Sequence, residues 1–204
     1  MESEKTSKYY YILSHVNTIV EGSKDFISDY DYYLSIAFRV RKKVMKEGLS
    51  LLQIEKQFII SELTLINNVS LDINKNSLPK KDHELISTYI DEGIYFLFSK
   101  LENVFLKLKK PLKTNPYNRI FVNDYSYNLF NELSQTISNP LADYSFIYRK
   151  MINDKFIYES VGESEFRRFL SSNYEVEIDK MKQLHICTTE IKERLYAMIK
   201  DVKQ

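Results

Sequence analysis

The residues with the greatest catalytic potential are three histidines and one cysteine, and their spacing argues against shared chemistry. His15, His83 and His185 are far apart, and none forms a His-x-x-x-His pair with a third metal ligand nearby. Cys187 lies two residues after His185, where side chains diverge across a helix boundary, so a thiolate–imidazole pair is not expected. The chain also lacks glycine-rich phosphate loops and nucleophile motifs. The sequence therefore predicts a non-enzymatic protein with no catalytic residue, no metal site and no cofactor.

One group of basic side chains shares a face of a predicted helix, because its members recur at intervals of three and four residues. It consists of Arg39, Lys42, Lys43 and Lys46. Such a face can neutralise the phosphates of a nucleic acid. It is also typical of the solvated face of a lysine-rich helix, whose C-terminus favours cations through the helix dipole. Both interpretations stay open.

The pattern most typical of a binding function lies between Glu163 and Leu184. Two short amphipathic helices are predicted there, Glu163–Ser171 and Asp179–His185, with a polar turn between them. Two short helices joined by a tight turn are the parts of a helix-turn-helix, whose second helix enters the major groove of DNA. The segment therefore predicts a DNA-binding surface.

Five polar side chains are the candidate DNA-binding residues. Arg167 and Arg168, on the first of these helices, are expected to contact backbone phosphates. Lys180, Lys182 and Gln183, on the second, are expected to face the major groove, where lysine recognises guanine and glutamine recognises adenine. The predicted partner is duplex DNA.

Charge and aromatic content leave a second function open. Residues 111–204 contain 13 basic and 13 acidic side chains, whereas DNA-binding domains usually carry an excess of positive charge. The chain also has 16 tyrosines, and tyrosine is a frequent anchor at protein interfaces because it is large, rather rigid and half polar. The alternative is a protein-interaction module whose partner is another protein or a second copy of this chain, with no nucleic acid partner.

The elements that must position these residues are almost all predicted helices. The first four are Lys8–Glu21, Lys24–Glu47, Ser50–Asn68 and Asp82–Lys109. Glycines end the first two and Pro111 ends the fourth. Four helices with short connections are typical of an antiparallel bundle, which we assign to residues 1–110.

Shorter elements follow a boundary segment, Pro111–Asn123. They are the helix Tyr125–Ile137, a helix capped by Asn139 with Pro140 at its first position, a short strand at Phe156–Tyr158, the two helices of the DNA-binding pattern, and a closing helix from Thr188 to Val202. The predicted class is all-α. An N-terminal antiparallel bundle is followed by a smaller lobe, residues 124–204, of the helix-turn-helix or winged-helix kind.

The composition predicts a cytoplasmic protein without a membrane partner. Of the 204 residues only Cys187 is a cysteine, so no internal disulfide can form and a reducing compartment is indicated. The N-terminus is not a secretory signal, because no basic stretch precedes an apolar one. No apolar run approaches the roughly 18 residues that a membrane span requires.

The C-terminal part resembles the RteC family, regulators carried by Bacteroides conjugative elements. The resemblance covers about Phe146 to Asp201. It rests on Phe146-Ile147-Tyr148, Ile157, Phe166, Phe169, Val176-Glu177-Ile178, Thr188-Thr189 and Leu195. It implies a helical protein with a C-terminal winged-helix DNA-binding domain that activates excision and transfer genes, with Lys180, Lys182 and Gln183 on the recognition helix.

Overall fold

The structure is a computed structural model that describes residues 30–31, 34–36, 50–75, 80–108 and 111–203. Seven bounded helices lie within these ranges. They are α1 (Leu51–Lys75), α2 (Lys80–Lys107), α3 (Asp124–Ser134), α4 (Pro140–Asn153), α5 (Glu163–Tyr174), α6 (Leu184–Cys187) and α7 (Glu190–Lys203). The only β structure in the described ranges is one antiparallel bridge, so the predicted all-α class is confirmed. None of the described helices is both long and apolar enough to cross a membrane.

Much of the first predicted helix pair falls outside the described residues. Within Lys24–Glu47 only residues 30–31 and 34–36 are described, and they are helical. The segment Lys8–Glu21 and the basic face formed by Arg39, Lys42, Lys43 and Lys46 also lie outside the described residues. Their interpretation stays a prediction.

The chain divides into two compact units, Met1–Lys107 and Leu108–Gln204. In the first unit α1 packs against α2. The apolar residues that recur at helical spacing along α2 are buried, with Leu97 and Leu101 fully excluded from solvent. On α1 the apolar period Ile54, Phe58, Ser61 and Leu65 predicts the buried face only in part. Ile54 and Phe58 are buried together with Ile59 and Leu63, whereas Leu65 is 57% exposed.

A reciprocal cap begins α1 at Ser50, the residue at which the sequence predicts this helix to start. The Ser50 amide donates to Gln53 Oε1 at 2.9 Å, and the Gln53 amide donates to Ser50 Oγ at 3.3 Å. Each side chain thus binds a backbone N–H that the helix itself leaves without a partner. The cap fixes the residue at which α1 starts.

Replacing Ser50 by alanine should destabilise the N-terminal unit by about 1 kcal/mol, because a helix-starting amide then loses its acceptor. Thermal unfolding followed by circular dichroism measures this change. Ser61→Ala is the matched control, since Ser61 is exposed within the same helix and its hydroxyl donates only to the Gln57 carbonyl. We expect the control to change stability by less than about 0.5 kcal/mol. Equal losses in the two variants would contradict the capping role.

The C-terminal unit begins with a segment that folds onto α3. The Lys113 amide donates to Asn128 Oδ1 at 2.9 Å, and Asn128 Nδ2 donates back to the Lys113 carbonyl at 2.6 Å. Phe121, farther along the same segment, is fully buried. The structure thus places much of 111–123, the predicted boundary, inside this unit.

Residues 120–122 and 156–158 form a minimal two-stranded ribbon. Its centre is the antiparallel bridge between Phe121 and Ile157. The Val122 amide donates to the Phe156 carbonyl at 3.1 Å, and the Tyr158 amide donates to the Ile120 carbonyl at 3.1 Å. The short strand predicted at Phe156–Tyr158 is therefore present only as this single pairing.

Three outward-facing backbone groups of the ribbon are bound within the unit. The Phe121 amide donates to the Tyr117 carbonyl at 3.0 Å, and the Phe121 carbonyl accepts from Asn115 Nδ2 at 2.9 Å. On the other side the Ile157 amide donates to the Met151 carbonyl at 3.2 Å. The ribbon is thereby enclosed by neighbouring chain.

The helix α4 starts where the sequence predicts. Pro140 occupies its first turn, and Asn139 caps it by accepting from the Ala142 amide at 3.2 Å. Asp143 Oδ2 accepts from the amides of Ser138 and Asn139, both at 2.8 Å. The closing helix, by contrast, begins at Glu190 and not at Thr188 as the sequence predicts, and the Lys192 amide donates to Thr189 Oγ1 at 3.4 Å.

Candidate nucleic-acid interface

The first helix of the predicted DNA-binding pattern is present as α5. It buries Phe166, Phe169 and Leu170, as the amphipathic pattern requires. Arg168 is exposed on its opposite side, whereas Arg167 is half-buried. The two adjacent arginines therefore have different surroundings.

The second predicted helix, Asp179–His185, is wrong. Residues 175–183, which we call the strap, are not helical, and only Leu184–Cys187 forms the short helix α6. Glu175 adopts the left-handed conformation, with φ 55° and ψ 34°, and so ends α5. Ile178 and Met181 are the two buried side chains of the strap. Their spacing of three imitates a helical period, but they serve as two separate anchors of a non-helical segment.

The backbone of the strap is bound by side chains from other helices. Arg167 Nη1 donates to the carbonyls of Ile178 at 3.1 Å and Asp179 at 2.5 Å. The Lys182 amide donates to Ser145 Oγ at 2.9 Å, and the Lys182 carbonyl accepts from Arg149 Nε at 3.3 Å. These bonds take the place of the intrahelical ladder. The role predicted for Arg167 changes accordingly, because its guanidinium positions the strap.

The other four candidate residues differ in how accessible they are. Lys180 and Gln183 are exposed on the strap, as Arg168 is on α5, and Lys182 is half-buried. Gln183 caps α6 with its carbonyl, which accepts from the Ile186 amide at 3.0 Å. The two hydrogen bonds from Arg167 to the Ile178 and Asp179 carbonyls, which we call the clamp, therefore hold α5 next to the backbone that precedes Lys180. The clamp presents Lys180 and Gln183 from a non-helical segment and not from a helix.

Sequence reasoning missed the two polar residues of α4 that hold the strap. Ser145 and Arg149 are four residues apart, so they share a face of α4. Ser145 is fully buried, and Arg149 also forms an ion pair with Glu163. A serine and an arginine at helical spacing among buried residues were the available signal. Nothing local indicated that a segment 33 residues downstream would bind them.

The helix α4 packs against α6 and is enclosed by four further neighbours. The strap covers one side of it, and three pairs of aromatic rings join it to other helices. The ring centroids lie 6.3 Å apart for Tyr144 and Phe130 of α3, 4.9 Å for Tyr148 and Phe166 of α5, and 6.2 Å for Phe146 and Tyr196 of α7. A buried ion pair at 2.8 Å between Asp143 and Lys192 adds a polar contact to α7. As a result, α4 is the central element of the unit.

Cys187 and His185 do not face the same environment. Cys187 is buried, and its thiol donates to the carbonyls of Gln183 at 3.3 Å and Leu184 at 3.4 Å. Burial raises the pKa of the Cys187 thiol, although the nearby Lys192 partly opposes this shift. His185 is exposed. Among the described residues no three His, Cys, Asp or Glu side chains are grouped closely enough to hold a metal ion.

The exposed charges of α5 and the strap are predominantly negative. Four carboxylates are exposed, against two cations, which gives a balance of −2. The six residues are Glu165, Glu175, Glu177, Asp179, Arg168 and Lys180. The cations of the interface therefore lie among carboxylates.

Comparisons of this chain with protein-family models, with curated proteins and with solved structures found no match.

Proposed function

We propose that this chain is a non-enzymatic regulatory protein whose C-terminal unit binds duplex DNA through α5 and the strap. The clamp of Arg167 on the Ile178 and Asp179 carbonyls carries this proposal. Because the clamp fixes the strap, the exposed Lys180 and Gln183 are held in one place relative to Arg168. A surface ordered in advance loses less conformational entropy on binding.

The contacts are expected to be mainly with phosphates. Arg168 and Lys180 supply the charge, Lys182 adds to it, and Gln183 offers an amide to a phosphate or a base edge. A non-helical strap does not enter the major groove as a helix does, so binding is weak and depends little on sequence. The nearby carboxylates weaken it further. These properties are those of a protein that binds DNA through few contacts.

Two features of the sequence extend the proposal. The bundle predicted for residues 1–110 supplies self-association, so two C-terminal units contact one duplex and gain affinity through their linkage. The resemblance to RteC regulators supports a DNA-binding regulatory function, and the cytoplasmic location expected from the lone cysteine is consistent with it.

The salt dependence of binding to a mixed-sequence duplex tests the proposal. Fluorescence anisotropy at 50 and 200 mM salt should show affinity falling with a log–log slope of roughly −2 to −3, about 0.9 for each phosphate neutralised. The double variant Arg168→Ala/Lys180→Ala should bind more weakly, with a slope reduced by about 2. Absence of binding at the lower salt concentration would refute the proposal.

A charge-matched control separates this site from a general effect of net charge. The double variant Lys113→Ala/Arg119→Ala removes two exposed cations from the segment that precedes α3. We expect it to retain most of the wild-type affinity and slope. Equal losses in the two double variants would show that α5 and the strap are not the binding surface.

The second candidate function is a protein-interaction module. The charge balance of −2 on α5 and the strap favours it, because such a surface repels phosphates and suits a protein partner. Ile186, on α6, adds an apolar side chain that is 60% exposed. A second copy of this chain is the partner that can be tested directly.

Sedimentation velocity decides between the candidates when it is paired with the duplex titration. Self-association that Ile186→Asp abolishes, with no duplex binding at low salt, would establish the interaction module. Duplex binding that Ile186→Asp leaves unchanged would establish the DNA-binding surface.

A further inference from the structure

Three half-buried tyrosines meet where the segment before α3, α3 itself and the end of α5 lie side by side. They are Tyr117, Tyr127 and Tyr174, one from each of these elements. The ring centroids of Tyr117 and Tyr127 lie 5.7 Å apart. The rings of Tyr117 and Tyr174 both contact the ring of Phe169, at 4.9 and 5.6 Å. Aromatic side chains from three elements are thus gathered at one place on the C-terminal unit.

Two asparagines hold two of these rings in fixed orientations. The Tyr117 hydroxyl donates to Asn173 Oδ1 at 2.6 Å, and the Tyr174 hydroxyl donates to Asn131 Oδ1 at 3.0 Å. Asn173 is fixed in turn, because its Nδ2 group donates to the Phe169 carbonyl at 2.9 Å. A surface whose side chains already have one orientation loses less conformational entropy on binding. We call the three tyrosines and these two asparagines the tyrosine cluster.

Three hydrogen-bond donors at the cluster have no partner among the residues that the structure describes. They are the hydroxyls of Tyr127 and Tyr144 and the Nδ2 group of Asn131. Tyr144 belongs to α4, and its buried ring packs against Phe130. Burial raises the pKa of Tyr174, and the hydroxyls of Tyr144 and of the other two tyrosines add to the shift, so all four hydroxyls lie close together. The cluster therefore offers donors to a ligand that brings acceptor oxygens.

The charge beside the cluster differs between its two ends. Glu175 and Glu177 are exposed and follow Tyr174 closely along the chain, whereas Arg119 is exposed in the segment before α3. Ser171 Oγ donates to Glu177 Oε1 at 2.9 Å, which holds this carboxylate beside the end of α5. The C-terminus of a helix also favours cations through the helix dipole. A ligand that reaches the α5 end is therefore expected to carry a positive charge there.

We propose that the tyrosine cluster binds an extended, proline-rich peptide that carries a basic residue beside its prolines. Such peptides form a polyproline II helix, dock into surfaces lined by aromatic rings and leave their backbone carbonyls free to accept hydrogen bonds. The Tyr127 hydroxyl and Asn131 Nδ2 donate to these carbonyls, and Glu175 and Glu177 pair with the basic residue. The inference goes beyond the proposed function, because the partner is a protein segment and neither Arg168 nor Lys180 contacts it.

Nuclear magnetic resonance of the isotope-labelled full chain tests the inference. The probe is a synthetic peptide of about eight prolines with an arginine at each end, a length that forms a polyproline II helix. On titration the amide signals around Asn131 and in the last turn of α5 should shift. A peptide with glutamate at each end should bind about tenfold more weakly, because its charges then oppose Glu175 and Glu177. A peptide with glycine and serine in place of the prolines should lose affinity by a similar factor, since it is not extended in advance.

Conservative variants locate the binding site. Tyr127→Phe keeps the ring and removes one hydroxyl, so it should weaken binding of the arginine-flanked peptide about fivefold, as expected for one lost hydrogen bond. Tyr158→Phe is the matched control, because Tyr158 is a 40% exposed tyrosine on the ribbon, and its affinity should equal that of the wild type. Glu175→Gln/Glu177→Gln should weaken binding of the arginine-flanked peptide about threefold and leave the glutamate-flanked peptide no weaker. Circular dichroism confirms that each variant is folded.

The outcomes separate this inference from the proposed function. Absence of peptide binding at millimolar concentration would overturn the inference, and so would equal losses in Tyr127→Phe and Tyr158→Phe. A single-stranded oligonucleotide that shifts the same signals when the peptide does not would also overturn it, because the rings would then stack on bases. Tyr127→Phe should bind a mixed-sequence duplex as the wild type does, whereas Arg168→Ala/Lys180→Ala should keep its affinity for the peptide. Either claim can therefore fail while the other holds.

Discussion

Replacing Phe130 by alanine should destabilise the C-terminal unit by about 3–5 kcal/mol. Phe130 is fully buried, and five aromatic rings surround it at centroid distances of 5.1–6.3 Å. They belong to Phe121, Tyr144, Phe166, Phe169 and Tyr174. Truncation leaves a cavity between α3, α4 and α5 and removes edge-to-face ring contacts. Since whole domains are stable by only about 5–15 kcal/mol, a large part of the total is lost.

Chemical denaturation followed by circular dichroism measures this loss as a lower denaturant concentration at the midpoint of unfolding. Leu112→Ala provides the control, because this side chain is exposed and its truncation should change stability by less than about 0.5 kcal/mol. Phe130→Leu should fall between the two, since it keeps most of the apolar volume. A Phe130→Ala midpoint equal to that of the control would show that the ring cluster does not hold the unit together.

Raising the pH above 10 should unfold the C-terminal unit through its buried tyrosines. Burial raises the pKa of Tyr196 far above its ordinary value of about 10, and the neighbouring charge of Asp154 adds to the shift. Burial likewise raises the pKa of Tyr174. A folded-state pKa above the unfolded value means that the stabilisation is complete below pH 10 and is lost as the pH rises above it.

The size of this effect follows from the linkage relation. Tyr196 alone removes roughly 1.4 kcal/mol per pH unit above pH 10, so about 3 kcal/mol is lost by pH 12, and Tyr174 adds to it. Tyrosinate absorbance at 295 nm and circular dichroism are recorded together between pH 9 and 12. The buried tyrosines should ionise over the same pH range in which the helical signal is lost. Tyr196→Phe should move the unfolding midpoint to higher pH, whereas Tyr158→Phe, at an exposed residue, should not. Ionisation of every tyrosine before any loss of helicity would contradict the prediction.

Local sequence signals predicted several helix ends well. Ser50 with Gln53, and Asn139 with Pro140, are short-range pairs whose physics is contained within one helical turn, and both caps are formed. The amphipathic pattern of α5 likewise identified its buried face. The class of the fold could therefore be predicted from spacing alone.

The strap shows where the same reasoning fails. Val176, Ile178, Met181 and Leu184 have a spacing that fits a helix, but the backbone between them is bound by Arg167, Ser145 and Arg149. Those partners come from α4 and α5, up to 37 residues away along the chain. A periodic pattern describes which side chains are apolar and gives no information on which distant side chain binds a carbonyl. The candidate interface is therefore a non-helical segment where the local sequence predicts a helix.

The small ribbon has a consequence for the behaviour of this protein at high concentration. Strands at the edge of a sheet template pairing with another chain when their amides and carbonyls face solvent. Here the Tyr117 carbonyl, the Asn115 side chain and the Met151 carbonyl already occupy three outward-facing groups of the Phe121–Ile157 pair. A foreign strand would first have to displace these intramolecular partners, so the ribbon is protected against edge-to-edge aggregation despite its β-prone residues.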